Sequence, residues 1–166
     1  MATINVIACD PGQTGSFCLL RLDSTKQPKI FFIENDKPLN EIQAWLADAT
    51  TNLNIRILMI EEVHSVFGAS AKANFTFGRN VGVVNTLLDL LPIGKDIVQP
   101  KEWQKFCGVP AKKKGQKRST TDVKKLVAAS ADRLYPGCDI RTPRGRILDG
   151  RADALMIAHF CAHKYK

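Results

Sequence analysis

Four acids in this chain stand where a negative charge is expensive. Asp10 closes the apolar run 4–8, Glu61 closes the apolar run 55–60, and Asp149 and Asp153 open a final, almost wholly apolar segment. A carboxylate at the end of a buried element costs free energy unless a positive charge answers it. Residues four apart on a helix are offset by only about 40°, so Asp149 and Asp153 share a face if the helix has begun by Asp149. Asp10, Glu61, Asp149 and Asp153 form an all-oxygen set suited to Mg²⁺ or Mn²⁺, not to structural zinc. Two such ions about 4 Å apart activate water and stabilise the leaving oxygen in phosphodiester hydrolysis. Each acid also has an ordinary explanation. Asp10-Pro11-Gly12 is a common turn, acids suit helix starts through the dipole, and Glu62 competes with Glu61. Their shared position at element ends argues against coincidence.

The segments that must position these acids alternate in type. Residues 3–9, 15–22 and 28–33 read as three strands in a meander, the first turn being Asp10 to Gly15. After Pro38, a favourable first-turn residue, Ile42, Trp45, Leu46 and Ala49 recur at helical spacing and lead into the strand 55–60. That order permits a parallel crossover and an α/β sheet. Phe77, Val81, Val84, Leu88 and Leu91 then predict a helix of about five turns. It carries Gly78 and Gly82, whose cost in a helix interior predicts close packing against the sheet or another helix. Asp96 to Val98 reads as a short last strand, Pro100 to Phe106 as a brief helix, and Ser119 with Asp122 as a capping box. The 166 residues fit a single domain spanning 1–166.

A net charge of +8 favours a polyanionic partner, nucleic acid first. The charge is concentrated in two loops, one with Lys112, Lys113, Lys114, Lys117 and Arg118, the other with Arg144 and Arg146 leading straight to Asp149. Both are suited to holding phosphates. The five cysteines show no C-x-x-C spacing and read as reduced core residues. With no apolar run near the ~20 residues of a membrane span and no leader pattern, a cytoplasmic location is expected.

The motifs D-P-G-Q-T-G after a first strand, I-E-E-V at the end of a later one, a following helix with Gly78 and Gly82, and a terminal D-G-R-A-D-A-L-M-I-A together resemble the RuvC-type Holliday junction resolvases. The resemblance spans nearly the whole chain in order. The short length and lysine-rich insertion are similar to the phage-type branch. It implies an RNase H-like fold, a mixed five-stranded sheet flanked by helices, acting as a homodimer in the cytoplasm. The implied activity is that of a crossover junction endodeoxyribonuclease using two Mg²⁺ ions, with Mn²⁺ as substitute. Such an enzyme resolves four-way and other branched DNA by paired symmetric nicks that leave 5′-phosphate and 3′-hydroxyl ends. By the same resemblance Asp10 bridges the metals, Glu61 binds one and positions water, and Asp153 with Asp149 completes the site. Phe67 is the candidate wedge into an opened junction, or else a core or interface residue. One departure stands out, because the family commonly spaces its last acids three apart, where this chain has Gly150.

Other readings keep the fold but move the substrate to flaps, forks or RNA–DNA hybrids, or leave a non-catalytic junction-binding protein. D-x-G-x-T-G also resembles the phosphate loop of actin-like ATPases, but those need two such domains and this chain has room for one.

Overall fold

The computed structural model describes residues 3–65, 68–110 and 119–166. Strands β1 (Ile4–Cys9), β2 (Ser16–Asp23) and β3 (Lys26–Glu34) form the expected antiparallel meander. Helix α1 (Leu39–Asn52) returns the chain so that β4 (Ile55–Glu61) lies parallel to β1 on its other side. Helix α2 (Ala71–Asp89) leads to β5 (Lys95–Val98), parallel to β4. The result is one five-stranded mixed sheet in the order β3-β2-β1-β4-β5. Helices α3 (Pro100–Phe106), α4 (Thr120–Leu134) and α5 (Asp149–Lys164) complete the chain.

Side chains alternate across a strand, and here both faces are covered, which is why β1 is apolar on both sides from Val6 to Cys9, with Asn5 before it. Val6, Ala8, Leu20 and Met59 pack with Trp103, Val127 and the length of α5 on one face. Ile7, Cys9, Phe17, Leu58 and Ile60 pack with Ile42 and Leu46 of α1 and Val84, Leu87 and Leu88 of α2 on the other. Helix α5 is buried from Ala154 through Ala158 without a break, as its all-round apolar sequence requires. The capping box forms: the Ser119 hydroxyl accepts from the Asp122 amide while the Asp122 carboxylate accepts from the Ser119 amide.

One expectation fails. The helical cost of Gly78 and Gly82 predicts close packing within the chain, yet a Cβ at either would meet nothing within 4 Å. Only Val84, Leu87 and Leu88 of α2 are buried, while its amino-terminal half stands off the sheet with Phe75 77% exposed. The periodic Phe77 and Val81 are half-buried there, so the apolar spacing describes a face whose first half this chain does not cover.

Candidate metal centre

Parallel pairing of β1 with β4 sets Cys9 opposite Ile60. The next residue of each strand, Asp10 and Glu61, therefore emerges at the same end of the sheet. Strand alternation then fixes the face. Ala8 and Met59 point towards α5, so Asp10 and Glu61, two residues further on, share that side. The same alternation decides between the paired glutamates. Glu62 anchors its backbone N–H on the Val98 carbonyl at 2.8 Å and sets its carboxylate 3.7 Å from the exposed His64, leaving Glu61 to meet Asp10.

Asp10 sits in a braced turn. Its Oδ1 accepts from the Gly12 amide at 3.0 Å, and the Asn35 side-chain amide donates to the carbonyls of Asp10 and Gly12 at 2.7 and 2.8 Å. Among the described residues the buried Asn35 Oδ1 has no hydrogen-bond partner, a cost of about 1–3 kcal/mol.

The turn is also locked to α5. Gly15 and Gly150 form a parallel bridge, backbone against backbone. A Cβ on Gly150 would fall 2.1 Å from the Thr14 carbonyl oxygen and 2.7 Å from the Gly15 Cα. No side chain fits at position 150, which is the physical reason that the acid three residues before Asp153 is missing. Helix α5 begins at Asp149, so Asp149 and Asp153 do lie one turn apart. Arg151 clamps this end of the helix: its Nε donates to Glu34 Oε1 at 2.6 Å, it pairs with Asp139, and its guanidinium lies 5.2 Å from the Phe32 ring centre.

The four acids feel one another. Burial raises the Asp10 carboxyl, the Asp149 charge adds to the rise, and the Gly12 amide and Lys124 oppose it. Burial raises Glu61 to about 7 with Asp10 contributing, while a hydrogen bond from Trp103 Nε1 to Glu61 Oε1, 2.8 Å long, opposes. Burial pushes Asp153 well up, and Asp10, Glu61 and Asp149 push it further. Asp149 itself is ion-paired with Lys124. Among the described residues no three carboxylate, histidine or cysteine side chains already converge as ligands. The donor chemistry nonetheless fits a hard divalent cation: all four groups are carboxylates, three are raised by burial and mutual repulsion, and among the described residues the cation paired with them is the Lys124 ammonium.

Of the basic residues singled out from the sequence, Arg144 and Arg146 are exposed. Arg146 lines a groove of about 310 Å³ together with Thr14, Glu34, Asp149 and Arg151. Lys112, Lys113, Lys114, Lys117, Arg118 and Phe67 lie outside the described residues. A cavity of about 680 Å³ lies at the opposite end of the sheet, lined by Asn5, Asn54, Arg56, Tyr135 and His159. Sequence reasoning missed Asn35, Lys124 and Trp103. Only Trp103 gave a signal, since a buried indole N–H requires an acceptor.

No protein-family model and no curated protein sequence matches the chain. Solved structures do match. RuvC of Thermus thermophilus in complex with a Holliday junction substrate aligns over 95% of this chain and 90% of its own, at TM-score 0.54 and 13% identity. The fowlpox virus Holliday junction resolvase aligns over 96% and 99%, at TM-score 0.54 and 11% identity. The yeast mitochondrial Holliday junction resolvase aligns over 93% and 76%, at TM-score 0.52 and 14% identity. The chain thus shares the α/β fold of these resolvases, with Asp10 and Glu61 at the carboxyl ends of β1 and β4 and Asp149 and Asp153 at the start of α5. At these identities the likeness is one of fold.

Proposed function

We propose that this protein is a divalent-metal-dependent endonuclease that resolves Holliday junctions and other branched DNA by paired, symmetric nicks. The observation that carries the reading is that Asp10 and Glu61, at the ends of the paired strands β1 and β4, and the Asp149–Asp153 turn of α5 lie close enough to be coupled by charge. Asp10, Glu61 and Asp153, with Asp149, would hold Mg²⁺ or Mn²⁺. Bound ions would supply Lewis-acid activation of water and neutralisation of the leaving oxygen. Asp10 is presented by a turn with its Oδ1 already oriented by an N–H, and Glu61 stands beside it. Asp153 is fixed by the buried body of α5. The basic loop reaching Arg146 lies next to Asp149, where a phosphate backbone would pass.

Paired nicks require two sites, which we assign to a homodimer acting in the cytoplasm. The uncovered half of α2 supports the pairing: Phe75 is 77% exposed, and Gly78 and Gly82 leave open space that would let a second helix approach closely.

Strand-by-strand cleavage of a synthetic four-way junction, a flap and linear duplex, with and without Mg²⁺, tests this. Symmetric nicks on the junction, absent in Asp153→Asn, are expected. Cleavage confined to flaps would move the substrate, and tight junction binding without cleavage would sink the nuclease reading.

A further inference from the structure

Trp103 is 1% exposed in the core between α5 and the sheet. Packing there would be served by any large apolar side chain, so the indole nitrogen needs a separate account. An indole N–H is a donor only and must find an acceptor when buried. Its acceptor is Glu61 Oε1 at 2.8 Å, across 42 residues of sequence.

That choice has consequences for the acid. A carboxylate at a strand end is free to rotate about its side-chain bonds, and a bond to one oxygen selects an orientation. It occupies one acceptor position on Oε1 and leaves both positions of Oε2 available. The donor is also uncharged and stays so at every pH. Asp149 is held differently, by the Lys124 ammonium. A cation approaching Asp149 meets a carboxylate already paired with that ammonium, whereas one approaching Glu61 meets a carboxylate already oriented by a neutral donor.

We infer that Trp103 is a positioning residue for Glu61, holding it in its ligating orientation before any metal arrives. The inference rests on the reading of the acids as a divalent-cation centre. Partners that orient metal ligands are typically worth 10–100-fold in metal affinity. Mn²⁺ binding to the full chain, followed by calorimetry and by electron paramagnetic resonance, is therefore expected to weaken by that factor in Trp103→Phe. The Mg²⁺ concentration giving half-maximal junction cleavage rises in parallel, while turnover at saturating Mg²⁺ recovers. A folded Trp103→Phe that binds Mn²⁺ as tightly as wild type overturns the inference and leaves the nuclease reading intact. Wild type that binds no Mn²⁺ removes both.

Should Trp103→Phe fail to fold, the indole N–H resonance of Trp103 is read in a Trp45→Phe background with and without Glu61→Ala. Loss of the acceptor is expected to shift that resonance and to speed its exchange with solvent. An unchanged resonance overturns the inference.

Discussion

Replacing Gly150 with alanine adds one methyl group where the fold has no space. The 2.1 Å approach of the new Cβ to the Thr14 carbonyl oxygen falls 0.9 Å short of the 3.0 Å that real contacts respect. Both colliding groups, the Thr14 carbonyl and the Gly15 Cα, are backbone, so no side chain can swing aside. Either the 12–15 turn or the start of α5 must move by about that amount. Overpacking of a well-filled site costs about 1–3 kcal/mol, and a backbone-on-backbone clash belongs at the upper end. For a chain of this length each kcal/mol lowers Tm by about 2–4 °C, so a fall of roughly 5–10 °C is expected. The catalytic effect should exceed the thermal one. The turn carries Asp10 and the helix carries Asp149 and Asp153, so the displacement changes the spacing of the acids themselves. A misplacement of about 1 Å is worth up to ~100-fold in rate. Single-turnover junction cleavage at saturating Mg²⁺, well below the variant's Tm, measures it. Gly94→Ala is the control: the same methyl group meets nothing within 4 Å there, and the position lies outside both the Asp10 turn and α2. A Gly150→Ala protein with wild-type melting and cleavage would refute the close contact and the geometry derived from it.

Three further outcomes follow from the charges. In the metal-free chain, the Glu61 carboxyl is raised from 4.5 to about 7. The corresponding stability is therefore full below about pH 4.5 and lost as pH rises through 7, an effect of about 3 kcal/mol at 1.36 kcal/mol per pKa unit. Asp10 and Asp153 are raised in the same sense, so urea denaturation in a chelator should show higher stability at pH 5.5 than at pH 8, and Mg²⁺ should narrow the gap; stability that climbs from pH 5.5 to 8 contradicts this. Lys124→Met should tighten Mn²⁺ binding, because it removes the ammonium that competes for Asp149. It should cost the metal-free fold only about 1 kcal/mol or less, since the two side chains are 44% and 31% exposed; unchanged or weaker Mn²⁺ binding counts against that role. Arg144→Ala with Arg146→Ala should flatten the log–log salt dependence of junction affinity, by about 0.9 for each phosphate that the arginines no longer neutralise. An unaltered slope would show that this loop does not meet the backbone.

What the sequence disclosed about the site was whatever local periodicity carries. Largely apolar runs ending in an acid singled out Asp10 and Glu61 as candidates, and an all-round apolar helix opening on two acids singled out Asp149 and Asp153. The individual strands, helices and capping box were legible for the same reason, since each is written within a short run of consecutive residues, and their order alone pointed to the crossover. Asn35, Trp103 and Lys124 were not, because each acts on a residue at least 25 positions away, and nothing in their own neighbourhoods announces the partner. Gly78 and Gly82 misled, since a glycine in a helix says that something comes close without saying which molecule it belongs to. Gly150 is the instructive case. Beside the family's usual spacing it looks like an acid missing from the site. In the fold it is the point where the Asp10 turn touches α5, and a side chain of any kind there would drive the two apart. Positions three and four residues before Asp153 flank the same line along the helix, at about +60° and −40°. With the first closed by the Gly15 contact, the fourth-residue position is the one still able to present an acid beside Asp153, and that is where Asp149 stands.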